Sequence, residues 1–351
     1  MTIANIRQLN IINLPSLEKG TGFWIQLLPS LHTINVPKLR SISMLHLGGL
    51  PSLKTLSFDA GLRDDMSWYF TGGIYIYDTA LTHVGGLVFK KAPIIDLREN
   101  KNLTNISFPY MTVASDKWGW GEIRVRDNYE GLALDFPKLR EVRGSMSLSG
   151  VGAINIPQLR IINIDLYIGP QENGIPSCTN CLPTSLTNFT APKLSRVIGS
   201  IYFDSSPGLV NISFPALQTV NNITINNTAA VDLREGIAMH RLYKAQNVKI
   251  LGNTPSCEPF DNLQCRGAIV GNYFCGKISD PTRNIVTLSS LRKDCRQVRL
   301  SERLLFWGEM LLARLDEALK RQLQLRHYFW IIILIACLCL FIKIAARWFC
   351  K

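Results

Sequence analysis

The residues able to do chemistry in this 351-residue chain are few and unevenly placed. None of the first 177 residues is cysteine. Of the nine in the chain, Cys178, Cys181, Cys257, Cys265, Cys275 and Cys295 then follow, an even six ahead of the apolar stretch near the end, with three more in or beside that stretch. An even set points to disulfides and an oxidising compartment, although spacing alone does not fix the pairing. Cys178 and Cys181 have metal-type spacing, but the later gaps of 8, 10 and 20 residues offer no second close pair, so no zinc site is expected. Six Asn-x-Ser/Thr sequons stand at Asn102, Asn105, Asn188, Asn211, Asn222 and Asn226, candidates for glycans on a lumenal or extracellular domain. An asparagine stacked on asparagine is the competing structural role for Asn105 and Asn211. The five histidines form no catalytic pattern, and Gly-x-Ser-x-Gly, P-loop and HExxH motifs are absent. A polysaccharide-cleaving site needs two separated carboxylates facing each other, which adjacent Asp64 and Asp65 do not supply. No catalytic, cofactor or metal site is therefore expected. Two tryptophan-bearing insertions, Gly61–Phe70 with Trp68 and Ser115–Trp120 with Trp118 and Trp120, are candidate contact loops for sugar or protein.

The scaffold that must carry these groups is a repeat. Residues 95–111 (IDLRENKNLTNISFPYM) share one frame with residues 201–217 (IYFDSSPGLVNISFPAL). Its second half is Pro-x-Leu-x-x-(Val/Ile) followed by a short alternating strand, as at Pro37, Pro137, Pro157, Pro192 and Pro215. Strands are read from residues 45, 74, 95, 123, 146, 166, 201, 223 and 248. A period in the low twenties with insertions fits one coil of a β-solenoid per repeat. Alternating apolar residues bury one face of each strand, and Pro sits at a corner where no ladder donor is needed. Between Leu45 and Leu47, His46 then points out of the coil. Gly144, Gly199 and Asn222 precede strands, where a corner calls for unusual φ.

The net charge is +12, which invites a nucleic-acid reading. Residues 296–351 hold ten Lys/Arg and four Asp/Glu, half of that total, beside an apolar stretch. The charge is read as membrane-flanking, and no nucleic-acid partner is expected. Residues 298–327 have the spacing of an amphipathic juxtamembrane helix that could self-associate, and residues 328–349 are apolar enough for one transmembrane helix with a short basic tail. The chain opens inside a repeat at Leu9–Leu17 with no signal peptide, and the reading favoured is a secretory protein whose first segment is missing from this sequence.

The frame Phe-Pro-x-Leu-x-x-Val-x-Gly at 136–144 and 191–199 (Ala at the first position there), with Asn-Ile-Ser-Phe-Pro at 105–109 and 211–215, resembles the receptor L-domain repeats of fungal cell-wall-organisation proteins. That family comprises GPI-anchored, sporulation-related surface glycoproteins. The resemblance implies a mainly β, right-handed β-solenoid (receptor L-domain or leucine-rich-repeat-like) over residues 1–250, then a Cys-rich cap over 251–297. It implies a non-enzymatic, glycosylated surface protein needed for wall integrity; with the apolar span this gives a plasma-membrane or cell-surface placement, and wall polysaccharide or surface proteins are the expected partners. The basic tail Arg347–Lys351 departs from a GPI signal and favours a membrane span. Two other classes remain open: a receptor-like ligand-binding module and a cytosolic tail-anchored repeat scaffold.

Overall fold

The computed structural model describes residues 1–64, 66, 72–172, 175–176, 185–253 and 255–277. The expectations for Trp68, Cys178, Cys181, Cys295, the amphipathic helix and the transmembrane helix lie outside the described residues. Among the described residues no helix is long and apolar enough to cross a membrane.

Among the described residues the chain is mainly β, and the largest feature is a 17-stranded sheet. Twelve of those strands stack in chain order: β1 (Thr2–Ala4), β2 (Lys19–Gln26), β3 (Ser41–Leu50), β4 (Gly73–Thr79), β5 (Ile94–Arg98), β6 (Glu122–Arg126), β7 (Met146–Leu148), β8 (Leu166–Ile168), β9 (Ser200–Ser206), β10 (Thr219–Thr228), β11 (Lys244–Gly252) and β12 (Tyr273–Lys277). Each pairs in parallel with the next. The remaining five are two-residue strands, from Lys91–Ala92 to Arg196–Val197, which form a second parallel stack beside the first. Short strands such as Asn105–Ser107, Leu132–Asp135 and Val151–Asn155 build a third. Successive turns of chain thus lay one strand on each stack, a solenoid-like arrangement.

The predicted strand positions are all in register. Leu45, Ile74, Ile95, Ile123, Met146, Leu166, Ile201, Ile223 and Val248 are consecutive ladder partners. All are buried, as are the residues two further on. The Pro-x-Leu motif is a β-turn with Pro in its second place: Leu139 N–H donates to the Phe136 carbonyl (3.3 Å) and Leu217 N–H to that of Phe214 (3.1 Å). The turn drives its leucine inward, and Leu39, Leu139, Leu159, Leu194 and Leu217 are fully buried. The preceding phenylalanines stack between coils, Phe108 on Phe136 at 4.8 Å.

Two features of the coil escape the apolar pattern. The corner after the first stack is left-handed in coil after coil: Leu27 (φ 55), Gly49 (φ 61), Asp78 (φ 50), Glu99 (φ 57), Asp127 (φ 54), Gly150 (φ 65) and Ser205 (φ 46). Each non-glycine there costs roughly 1–2 kcal/mol, offset by the ladder on either side. Just inside this corner, buried Thr79, Asn100 and Asn128 form a polar spine. The Asn100 amide donates to the Ile76 carbonyl (2.9 Å) and to Asn128 Oδ1 (2.9 Å), and its oxygen accepts from Thr79 Oγ1 (2.7 Å).

Gly144 and Gly199 are not in left-handed geometry. They are glycine because coils touch there: a Cβ on Gly144 would lie 2.0 Å from the Gly121 carbonyl oxygen, and one on Gly199 2.5 Å from that of Ile164. The parallel ladder also runs one strand past residue 250, to β12. Helix α1 is the short segment Ala229–Asp232 after β10, and helix α2 (Glu258–Cys265) tucks Phe260 and Leu263 into the core beside β12. Cys257 and Cys275 close a disulfide, and Tyr273 donates to Asp261 Oδ1 (2.7 Å).

Candidate functional site

In a parallel ladder with inward residues at alternate positions, the residues between them form continuous outward rows. One row runs Trp24, His46, Tyr75, Asp96, Arg124 across β2–β6. A second, two residues on, runs Gln26, Gly48, Tyr77, Arg98, Arg126. Trp24 stacks on His46 with ring centres 4.0 Å apart, and Tyr77 meets His46 edge-on at 5.3 Å. Gly48 makes this possible, because a Cβ there would stand 2.1 Å from the Tyr77 ring. With the ring laid over Gly48, the Tyr77 hydroxyl reaches His46 Nε2 at 3.1 Å and donates towards Gln26 Oε1 at 3.5 Å. The Arg98 guanidinium sits 5.0 Å from the Tyr77 ring centre.

Next to the rings lies an ion-paired group. Asp96 faces Arg98 Nε at 3.3 Å and Arg124 at 3.8 Å, and Glu122 pairs with Arg124 at 2.7 Å. Both acids are buried, the carboxylate of Asp96 only 6 % exposed. The group serves as a polar brace across two coils.

Burial and the nearby Arg98 charge depress the His46 pKa below its ordinary value of 6.5. The unfolded chain then binds the proton more readily than the folded one, so stability present at neutral pH is lost as pH falls below 6.5. The unfolding midpoint should drop between pH 7 and 5, and His46→Gln should flatten that slope. An unchanged slope in the variant would remove His46 as the cause.

The second candidate surface is the Ser115–Trp120 insertion. Asp116 folds it: its Oδ1 accepts from the backbone N–H groups of both Trp118 and Trp120, each at 2.8 Å. Gly119 takes φ 86 at the tip. The loop is thereby fixed with Trp118 65 % and Trp120 42 % exposed, and Lys117 Nζ lies 5.0 Å from the Trp118 ring centre. The loop that carries Trp118 and Trp120 leaves the two-residue strand Val113–Ala114 and leads into β6.

Against known proteins, the chain aligns with protein ecm33 of Aspergillus fumigatus at 28% identity over 275 residues, 72% of this chain and 62% of the relative. It aligns with cell wall protein ecm33 of Schizosaccharomyces pombe at 24% over 213 residues, 60% of this chain and 44% of the relative. The chain is a relative of the fungal ecm33 proteins. It spans less than two thirds of the length of either ecm33 relative. No family model matches it, and no solved structure does.

The remaining predicted site residues of this ecm33 relative separate by environment. Asn102, Asn105 and Asn188 are exposed. Asn105 faces Ala133 in the ladder rather than another asparagine, whereas Asn188 and Asn211 are direct partners. Asn222 and Asn226 have their amides engaged: Asn222 donates to Ser200 Oγ (3.0 Å) and accepts from Asn247 (2.7 Å), and Asn226 donates to Asp204 (2.7 Å). Of the cysteines, Cys257 and Cys275 are bonded to each other, and Cys265 is also disulfide-bonded. The Trp24–His46–Tyr77 strip was not among the sequence-based candidates. Lys19–Gly20–Thr21–Gly22 breaks the apolar alternation that would have revealed β2.

Proposed function

We propose that this chain is a non-enzymatic, glycosylated surface protein that contributes to the organisation of a fungal-type cell wall. The observation that carries the reading is its likeness to ecm33 proteins, one of them named a cell wall protein. The commitment of Asp96 and Glu122 to arginines supports a binding or scaffolding role over catalysis. In this reading the stacks form a right-handed solenoid of L-domain type. The disulfide and exposed sequons belong to a secretory-pathway domain, and residues 328–349 anchor it in the plasma membrane. The juxtamembrane segment 298–327 offers a surface for self-association.

A strain lacking the protein should be hypersensitive to wall-perturbing dyes, and restoring the gene should cure it. The restored protein should lose mass on endoglycosidase treatment, with glycans mapped by mass spectrometry to Asn102, Asn105 and Asn188. Asn222 and Asn226 should stay bare, since a glycan on the amide breaks the hydrogen bonds that stack their coils. Normal dye resistance in the deletion strain would sink the wall role. An unshifted protein would sink the secretory placement.

A further inference from the structure

Counted along the chain, the basic residues of the repeats look scattered. Placed by coil position they are not. The sequence carries Pro37-Lys-Leu-Arg40, Pro137-Lys-Leu-Arg140, Pro157-Gln-Leu-Arg160 and Pro192-Lys-Leu-Ser-Arg196, so the variable places of the β-turn frame are repeatedly cationic. The ladder puts these places in line. Thr112 N–H donates to the Lys90 carbonyl, Arg140 N–H to that of Thr112 and Arg160 N–H to that of Arg140, each at 2.8 Å, and Ser195 N–H to that of Arg160 at 2.9 Å. Lys90, Arg140 and Arg160 are therefore stacked at one corner, all exposed, with Arg196 on the strand next to them. Lys138 and Lys193 flank the column from the turns, Lys193 reaching across a coil to Gln158 at 2.7 Å. Glu141 lies in the same stack, but its carboxylate is taken by Arg143 at 3.0 Å, so that pair adds no net charge. From Lys90 to Ser195 is four coil steps, roughly 20 Å at about 4.8 Å each, with Thr112 and Ser195 the uncharged places in the file. None of the six sequons lies on it: Asn105, Asn188 and Asn211 are on the third stack, Asn222 and Asn226 on β10, and Asn102 in the turn after β5.

We propose that this face binds a linear polyanionic polysaccharide, one carrying phosphate or other anionic groups along its chain. The inference rests on the wall reading above for its context. Charge complementarity selects an anion, and the file of Lys90, Arg140 and Arg160, interrupted at Thr112, matches a polymer lying along the stack. Trp118 and Trp120 are exposed in the loop that leaves the strand Val113–Ala114 just after Thr112, and amphipathic rings of this kind can lie against sugar C–H groups. An anionic bilayer is the poorer occupant. The Trp118 ring that would enter lipid has the Lys117 ammonium over its face, which would have to be desolvated with it.

The test is binding of the full-length protein, in detergent, to immobilised dextran sulfate and to uncharged dextran. Binding to dextran sulfate alone is expected, weakening as salt is raised. The triple variant Arg140→Ser, Arg160→Ser, Lys193→Ser should lose about tenfold or more in affinity, judged from how strongly multiple ionic contacts act together on a polyanion. A control with the same change in net charge, Lys54→Ser, Lys101→Ser, Lys249→Ser, lies off the face and should bind normally. Both variants should keep the parental unfolding midpoint. Equal loss in the two triples would show that net charge rather than this face is responsible, and would overturn the proposal. So would absence of dextran sulfate binding, or a preference for phosphatidylserine vesicles over dextran sulfate. A protein that restores dye resistance yet ignores dextran sulfate overturns this inference alone. A deletion strain without a dye phenotype overturns only the wall role.

Discussion

Replacing Asn100 with alanine should destabilise the protein by about 3–5 kcal/mol, far beyond the cost of removing a surface amide. The Asn100 side chain is fully buried and serves four partners. It donates to the Ile76 carbonyl and Asn128 Oδ1, and accepts from the Thr79 hydroxyl and backbone N–H. Alanine leaves those groups in a dry core without partners, each at about 1–3 kcal/mol before the site relaxes. Leucine would restore apolar volume but not the hydrogen bonds, so Asn100→Leu should be no rescue. Stacked coils need not unfold in one step, so the measurement should combine urea unfolding with amide hydrogen exchange across β4 and β5. Protection should collapse there first. A loss under about 0.5 kcal/mol, the range of ordinary surface changes, would mean that the spine is not what holds these coils in place.

Gly144→Ala is the second large effect. The added methyl would stand 2.0 Å from the carbonyl oxygen of Gly121 in the neighbouring coil. No side-chain rotation relieves that contact, because both sides are backbone. The coils must part locally, disturbing the hydrogen bond from Ile164 N–H to the Gly144 carbonyl (3.1 Å). A loss of about 3 kcal/mol or more is expected, at the upper end of what overpacking costs. Gly208→Ala is the matched control, with nothing within 4 Å of its new methyl. It should be neutral or slightly stabilising, since alanine narrows the unfolded ensemble. If the two variants melt alike, coil contact is not the reason for glycine at 144.

The sequence was legible where one physical demand repeats. Leu45, Ile74 and their partners must all be apolar to fill one core, and Pro must precede the inward leucine to set the turn, so the period could be read from residue types alone. Asn100 and Asn128 were not legible, because a lone asparagine reads equally as a turn residue, and only the ladder shows that the two are neighbours. Gly144 was noticed for the wrong reason. Chain-local logic suggests an unusual φ, while the operative constraint comes from Gly121, a whole coil away. Trp24 was hidden by the glycines of β2, and with it the aromatic strip. The cationic column was in plain view in the Pro-Lys-Leu-Arg frames. Its residues are far apart along the chain and meet only by position within the coil.

The Cys257–Cys275 bond gives this array a direction of failure. Each coil leans only on its neighbours, so a stack comes apart most readily from an outer rung. The bond spans 18 residues and encloses α2, tying β12 to the segment that precedes the helix. While it is closed, β12 cannot peel far from β11 without dragging the helix and its buried Phe260 and Leu263 with it. Reduction releases the catch and lets the array unzip from β12 inward. How readily this end of the array frays is thus set by redox state, and Cys265, which is disulfide-bonded as well, adds to the same control.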